Sequence, residues 1–197
     1  LDGPGAGAPA PRAAAGAAGA AVPAHAAAAP PGRPVAEVVR DLTARGGRSA
    51  ALLYELRGRL LREPAAAAEV LALLRRDAPD GTAAALLNAL GMAATPEAQA
   101  ALRAVLLDPA APLNRQRAAL ALGDATDLDE PSLAALRGLA DGPRAGGLAD
   151  TAVLAMGMAA DRLRKEDPER YAGVRQDLLD RARRGGEDGR ATAALLA

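Results

Sequence analysis

The pattern of apolar and polar positions divides the chain into two parts. Residues 1–34 form an Ala/Pro/Gly-rich segment without a periodic apolar stripe, whereas from Val35 onward Leu, Val and Ala recur at spacings of three and four residues. The small side chains of residues 1–34 bury too little area to offset an ordering entropy of about 1 to 2 kcal/mol per residue. We therefore expect a disordered linker over residues 1–34 and a helical domain over residues 35–197.

The spacing of apolar residues in the second part predicts ten helices. We expect them over residues 35–45, 49–62, 65–77, 82–91, 96–108, 114–123, 131–141, 147–162, 169–184 and 190–197. Four helix starts are marked by a proline: Glu63-Pro64, Thr95-Pro96, Glu130-Pro131 and Asp167-Pro168. A Thr or Asp oxygen at such a start caps free backbone N–H groups, and the proline ring already has the φ angle of a first helical turn.

An internal period of 32 to 34 residues runs through the helical part. Gly91, Gly123 and Gly157 recur at steps of 32 and 34 residues, each with Ala two positions before and two after it, and with Leu or Met directly before it. A period of this length is typical of two-helix repeats, which bury their apolar faces only by stacking on neighbouring repeats. The sequence therefore predicts an all-α fold, an α-α superhelix of the HEAT-like solenoid type.

The end of the chain repeats the start of a glycine-marked helix. Residues 191–197 read Ala-Thr-Ala-Ala-Leu-Leu-Ala, which is similar to the segment before Gly157, but no glycine follows. Because a stacked array needs a polar cap to cover its last apolar face, we expect the repeat domain to continue beyond residue 197.

These columns resemble the HEAT repeat class. The stretches that carry the resemblance are Leu86–Gly91 with Thr95–Glu97, Arg117–Gly123 and Thr151–Gly157. More narrowly, residues 52–197 are similar to the superhelical domain of vitellogenin-type large lipid transfer proteins and of bacterial envelope proteins that share it. The resemblance implies a supporting arch for a lipid cavity that other domains contribute. It also favours the cell envelope or an exported protein over the cytoplasm.

Composition narrows the classes of partner. The chain has 24 basic and 24 acidic residues, lacks Phe, Trp and Cys, and has only Tyr54 and Tyr171 as aromatic residues. A neutral chain has no field that attracts a polyanion, and two aromatic side chains are too few to form a platform for stacking bases, so we expect no nucleic acid partner. No run approaches the roughly 18 to 20 apolar residues of a membrane span. Disulfides and thiolate metal sites are excluded.

The residues that usually carry catalysis are scarce. His25 is the only histidine and lies in the Ala/Pro/Gly-rich segment, where nothing would orient it as a base. The only serines, Ser49 and Ser132, both stand at predicted helix starts, where a hydroxyl caps the backbone. We therefore expect no catalytic residues, no cofactor and no enzymatic activity.

Charged and glycine-rich motifs have structural interpretations. Asp124, Asp127, Asp129 and Glu130 lack the order of a calcium loop, so we expect them to cap a helix and line a solvated loop rather than bind a metal. The Gly-Gly pairs at 46–47, 146–147 and 185–186 predict turns between helices. Arginines fall in last helical turns, where cations stabilise the helix dipole, with a phosphate or partner site as the alternative; they are Arg75, Arg76, Arg181, Arg183 and Arg184.

Asn88 departs from its repeat column. It stands three residues before Gly91, where the other repeats have Leu120 and Leu154. Its amide either bonds free backbone in a neighbouring turn or lines a binding groove on the inner surface. Together with Arg115 and Arg117, Asn88 forms the candidate partner surface.

These observations predict a non-enzymatic helical-repeat scaffold that presents a curved surface to a protein partner or sibling domain. The alternative is the supporting arch of a lipid-carrier protein, which would need an apolar concave face in addition to the core. A helical enzyme is a third hypothesis, and it lacks a nucleophile and base in the ordered part. Lipid would be bound only through other domains.

Overall fold

The helical part of the chain is seen in a computed structural model that describes residues 32–76, 78–142 and 147–184. All regular structure in these ranges is α-helical, which confirms the all-α class. The helices are α1 Val35–Ala44, α2 Ala50–Arg62, α3 Ala66–Leu74, α4 Asp80–Ala93, α5 Pro96–Leu106, α6 Pro112–Gly123, α7 Glu130–Ala140, α8 Leu148–Glu166 and α9 Pro168–Arg184. The helix expected over 190–197 lies outside the described residues, as do residues 1–31.

The last three residues of the expected linker contact the helical unit. The Gly32 carbonyl accepts a hydrogen bond from Arg59 at 2.8 Å. Arg33 forms an ion pair with Glu55 on α2 at 3.5 Å, and Pro34 is the residue that precedes α1. The compact helical unit therefore begins at Gly32.

Side chains cap four of the described helix starts, whereas α1, α3, α4, α6 and α8 begin without a side-chain cap. A side-chain oxygen accepts the backbone N–H three residues later at the four capped starts: Ser49, Thr95, Asp129 and Asp167. Each of these bonds satisfies a donor that has no partner inside its helix. The start predicted at Glu63-Pro64 is different in the structure. Glu63 is the residue that follows the end of α2, and Ala65, the residue before α3, makes no side-chain capping bond.

Successive helices of the same parity pack on one another. Helix α2 packs on α4, α4 on α6 and α6 on α8, while α1 packs on α3, α3 on α5 and α5 on α7. Helices α4 and α6 run parallel, because Asp80 at the start of α4 reaches Arg117 and Gly91 near its end reaches Ala121. Packing between nearest neighbours is what a repeat protein requires. The superhelical, HEAT-like arrangement stays a prediction.

The glycine column marks a close approach between the even helices of successive repeats. A Cβ atom added to Gly91 would lie 2.7 Å from the carbonyl oxygen of Ala121, and one added to Gly123 would lie 2.6 Å from that of Ala155. Gly91 and Gly123 thus each contact the alanine column of the next repeat. The glycine column and the alanine column recognised from the sequence are therefore the two sides of one contact.

Leucine fills the space on either side of the glycine contact. Leu90, Leu122 and Met156, the column before the glycines, are each 0% exposed, which confirms that Leu122 is a core residue. The largest fully buried side chains of the described part are all leucines: Leu42, Leu56, Leu60, Leu86, Leu87, Leu90, Leu102, Leu106, Leu122, Leu128, Leu133 and Leu136. Small residues at the contact and leucines around it allow dense packing without aromatic rings.

Arginines satisfy carbonyl groups at helix ends. Arg57 Nε donates to the carbonyl of Met92 at 2.9 Å, and Arg115 Nε donates to that of Leu106 at 2.8 Å. Carbonyls in a last helical turn have no partner within their own helix. These long side chains therefore join helices through backbone groups that would otherwise need water.

A buried glutamine joins α5 to the start of α7. Gln99 is 2% exposed, and its Nε2 donates to the carbonyls of Ala94 and Asp127 at 3.0 and 2.6 Å. Its Oε1 accepts the backbone N–H of Asp129 at 2.8 Å. Both ends of the amide are satisfied, so this buried polar group fixes the position of one repeat against the next without an unpaired donor.

The Gly-Gly pair at 46–47 forms the turn between α1 and α2, as predicted. Gly46 and Gly47 have φ angles of +59° and +79°, which side chains with a Cβ rarely adopt. A Cβ on Gly47 would also lie 2.1 Å from the carbonyl oxygen of Gly81 in α4. Gly147, with φ of +72°, precedes α8, while Gly146 and the pair at 185–186 lie outside the described residues.

The glycine contact predicts the effect of adding one methyl group. Gly123→Ala should lower the free energy of unfolding by about 1 to 3 kcal/mol, because its Cβ would overlap the backbone of Ala155. The matched control is Gly138→Ala on α7, where a Cβ would meet no atom within 4 Å. This control should gain about 0.5 to 1 kcal/mol from helix propensity. Urea unfolding of both variants measures the difference, and equal effects would contradict the contact.

Burial of the column before the glycines predicts a second difference. Leu122→Ala should cost about 2 to 5 kcal/mol, because it removes a fully buried side chain and leaves a cavity. Leu154→Ala on α8 is the matched control, since Leu154 is exposed and should cost less than about 1 kcal/mol. A loss below about 1 kcal/mol at Leu122 in thermal unfolding would mean that the repeat alignment is wrong.

Candidate functional site

The exposed large apolar side chains are concentrated on the even-numbered helices. Five such residues occur in the described part of the chain: Tyr54, Leu61, Leu107, Leu113 and Leu154. Four of them lie on α2, α6 or α8, and the fifth, Leu107, directly follows α5. Exposed apolar residues that cluster on one side of a protein are typical of an interaction site, whereas scattered ones are not.

Four residues form a column across the even helices. Tyr54, Asn88, Leu120 and Leu154 follow one another at steps of 34, 32 and 34 residues, one on each of α2, α4, α6 and α8. Tyr54, Asn88 and Leu154 are exposed and Leu120 is half-buried. We call these four residues the exposed column. Tyr54 was not among the predicted site residues, although its 34-residue step to Asn88 is visible in the sequence.

A shallow groove lies at the centre of the exposed column. It has a volume of about 280 Å³ and is bounded by residues of α4, α6 and α8. Its apolar lining consists of Ala84, Leu87, Leu120, Ala121 and Met158. Because Ala84 and Ala121 are short, they leave space between the larger side chains of neighbouring helices. Ala121 is also the residue that Gly91 contacts, so one side of the groove is formed by the alanine column that packs against the glycines.

Asn88 lines this groove. Its side chain is exposed, and within the described residues its amide makes no hydrogen bond. Of the two roles predicted for Asn88, the structure agrees with lining a groove and not with bonding to the backbone of a neighbouring turn. A free amide offers two N–H donors and one carbonyl acceptor to a ligand.

Arg117 also lines the groove, where it is paired with Asp80. Its guanidinium donates to both carboxylate oxygens of Asp80, at 2.6 and 2.9 Å. These hydrogen bonds hold the pKa of the Asp80 carboxyl below its ordinary value; loss of hydration opposes this shift and the charge of Arg117 adds to it. At the other end of the groove Asp124 pairs with Arg162. The charged groups at the groove are therefore neutralised within the protein.

Arg115 does not line the groove. Its half-buried side chain donates to the Leu106 carbonyl at the end of α5. The structure thus brings together Asn88 and Arg117 from the candidate partner surface and gives Arg115 a structural contact. The spacing of Arg115 and Arg117, two residues apart on α6, already places them about 200° apart around the helix.

The acidic cluster before α7 is used for capping and ion pairs. Each carboxylate pairs with an arginine: Asp124 with Arg162, Asp127 with Arg170, Asp129 with Arg103 and Glu130 with Arg137. Burial raises the pKa of Asp129, but hydrogen bonds from Ser132 and Arg103 outweigh it, so the net shift is downward. In the described ranges no group of three acidic or His residues is placed to hold a metal ion.

The remaining candidates have structural positions. Ser132 is buried and accepts a hydrogen bond from Arg103 at 2.8 Å, while His25 lies outside the described residues. Arg75 and Arg76 directly follow α3, and Arg181 in the last turn of α9 pairs with Asp141. Arg181, Arg183 and Arg184 thus lie in the last turn of α9, as predicted, whereas Arg75 and Arg76 lie just beyond the last turn of α3 rather than in it.

Comparison with protein-family models, with curated proteins and with solved structures finds no match for this chain. The resemblance to HEAT repeats and to vitellogenin-type superhelical domains therefore stays a prediction that rests on the repeat columns alone. Among the described helices, none combines the length and apolar character needed to cross a membrane.

The pair of Asp80 and Arg117 predicts a pH-dependent stability. Replacing the arginine in Arg117→Gln should raise the pKa of Asp80 toward its ordinary value. Because the pKa is lowered in the folded state, the extra stability of the unmodified protein should be present above about pH 3.9 and disappear as pH falls through the folded pKa. NMR titration of the Asp80 carboxyl carbon measures the shift.

The matched control for this titration is Arg164→Gln on α8. Arg164 forms an exposed ion pair with Asp161 at 3.1 Å and is separate from the groove. This control should leave the Asp80 titration unchanged. An identical Asp80 midpoint in the unmodified protein and in Arg117→Gln would show that the pair does not form in solution.

Proposed function

We propose that this protein is a non-enzymatic helical-repeat scaffold of the HEAT-like type, which binds a linear segment of a protein partner or sibling domain. The binding surface is the exposed column with its central groove. The observation that carries the proposal is the placement of Tyr54, Asn88, Leu120 and Leu154 on four successive even helices. Their regular spacing suits a chain that crosses the helices.

The size of the groove favours a side chain as its occupant. Cavities that enclose a drug-sized molecule measure about 300 to 1,000 Å³ and cover most of the ligand surface. The groove of about 280 Å³ is at the lower limit of this range and open on one side. It suits one or two apolar side chains of a larger partner, whose other contacts lie along the column.

The chemistry of the groove favours a peptide over a lipid. The supporting arch of a lipid carrier would need a continuous apolar surface for acyl chains. Here Asn88, Arg117 and Asp124 interrupt the apolar lining. The amide of Asn88 matches the donors and acceptors of a peptide backbone, so an apolar anchor beside a backbone contact describes the partner better than a hydrocarbon chain.

Selection from a library of random linear peptides tests the proposal. Peptides selected on the full chain should carry apolar anchors, and Leu120→Arg should weaken their binding about tenfold or more, because it places a charge in the groove. Leu154→Arg should also weaken the binding of these peptides. Because Leu154 is exposed, this substitution should leave the core folded. Fluorescence anisotropy with labelled peptides gives the affinities.

The matched control is Ala134→Arg, which adds the same charge at an exposed position on α7. It should leave peptide affinity unchanged. If the selected peptides bound both column variants as well as the unmodified protein, or if NMR shifts on binding mapped to odd-numbered helices, the exposed column would not be the binding surface.

A further inference from the structure

Basic charge is concentrated in the first three helices, although the chain as a whole has a formal net charge of zero. Residues 32–76 contain nine arginines and five acidic residues, whereas residues 78–142 contain four arginines and eight acidic residues. These two parts are oppositely charged. The neutral total therefore hides a local positive field around α1, α2 and α3.

Four exposed arginines of the basic part lie at one edge of the helical unit: Arg45, Arg48, Arg75 and Arg76. The first two flank the Gly-Gly turn between α1 and α2, and the other two directly follow α3. This turn packs against the start of α4, because a Cβ on Gly81 would lie 2.5 Å from the carbonyl oxygen of Gly46. The short connection after α3 leads into the same start of α4. We call the four arginines the basic edge.

The arginines of the basic edge differ from those of later repeats because they have no partner. Within the described residues, none of the four side chains makes a hydrogen bond or an ion pair. Where α7 and α9 end, by contrast, Arg181 and Arg184 both pair with Asp141. The guanidinium groups of the basic edge are therefore available to a partner, whereas the charges at the later helix ends are neutralised within the protein.

The carboxylates near the basic edge do not neutralise it. Asp41, four residues before Arg45, pairs with Arg33, and Asp80 at the start of α4 pairs with Arg117. Asp77 follows the α3 arginines in the sequence and lies outside the described residues; even with its charge included, arginines outnumber unpaired carboxylates here. The edge thus keeps a net positive charge.

We propose that the basic edge binds an acidic segment of a protein partner, whose carboxylates pair with its guanidinium groups. A guanidinium presents its donors in a planar fork that matches both oxygens of a carboxylate. Arg45 and Arg48 extend from a turn whose backbone is held against α4, which lowers the ordering cost of binding. The basic edge shares no residue with the groove, so this inference goes beyond the proposed function and does not depend on it.

The distribution of charge favours an acidic polypeptide over a nucleic acid. A nucleic acid is negatively charged along its whole length, so a strand that extended past the basic edge would meet the acidic part of the chain after α3. A polypeptide can confine its carboxylates to a few positions. The two aromatic residues of the chain, Tyr54 and Tyr171, do not belong to the basic edge, so no ring there could stack a base.

A labelled peptide, Gly-Glu-Glu-Gly-Glu-Glu-Gly, tests the inference on the full chain. Fluorescence anisotropy at low salt should show binding that weakens as salt is added, because exposed charges are screened. The matched peptide with glutamine in place of glutamate should bind about tenfold more weakly. The double variants Arg45→Gln with Arg48→Gln, and Arg75→Gln with Arg76→Gln, should each weaken the glutamate peptide about fivefold.

The matched control is Lys165→Gln with Arg175→Gln. It removes the same charge from exposed side chains of α8 and α9 that make no ion pair within the described part of the chain, and it should leave the affinity unchanged. An equal loss in this control would show that the peptide responds only to total charge, which would overturn the inference. Equal binding of the glutamine peptide would overturn it as well. Tighter binding of an oligothymidylate of the same charge would make the edge a nucleic acid site instead.

The two proposals fail separately. Peptides selected for the exposed column should depend on Leu154 and bind both arginine double variants normally, whereas the glutamate peptide should bind Leu154→Ala as tightly as the unmodified protein. A glutamate peptide that lost affinity in Leu154→Ala, but not in the arginine variants, would lie on the exposed column. That result would overturn the basic edge and leave the scaffold function standing.

Discussion

The contact between a glycine on one helix and an alanine on the next determines most of this structure. Gly91 against Ala121 and Gly123 against Ala155 leave no room for another carbon atom. Because the backbones themselves touch, the distance between successive even helices depends little on rotamer choice. Leucines then fill the spaces on either side, which explains how a core can be built without Phe or Trp.

Polar contacts add direction to this packing. Apolar contacts are not directional, so a core made of Ala and Leu would allow neighbouring helices to slide. Gln99 prevents sliding between α5 and α7 because its amide has partners on both sides. Arg57 and Arg115 act similarly by binding carbonyl groups of other helices. Much of the basic charge in this neutral chain is therefore used inside the fold rather than to attract a partner.

Local signals in the sequence predicted the helices well. Caps such as Thr95 and Asp129, and the turn at 46–47, depend on residues only a few positions apart. The glycine and alanine columns were also visible, but their mutual contact was not, because it joins residues 30 or more positions apart. The hydrogen bonds of Gln99 and Arg115, and the exposure of Tyr54, depend on neighbouring repeats, so no local pattern indicated them.

The candidate site follows from the same geometry as the core. Leu120 and Leu122 are two residues apart on α6 and therefore point about 200° away from each other. Leu122 is fully buried beside the glycine contact, whereas Leu120 lines the groove. Asn88, the polar residue of this column, is thus at a position where an apolar side chain is not required for folding. Since the glycine contacts hold α4, α6 and α8 together, the packing of the core also fixes the positions of these outward-facing residues.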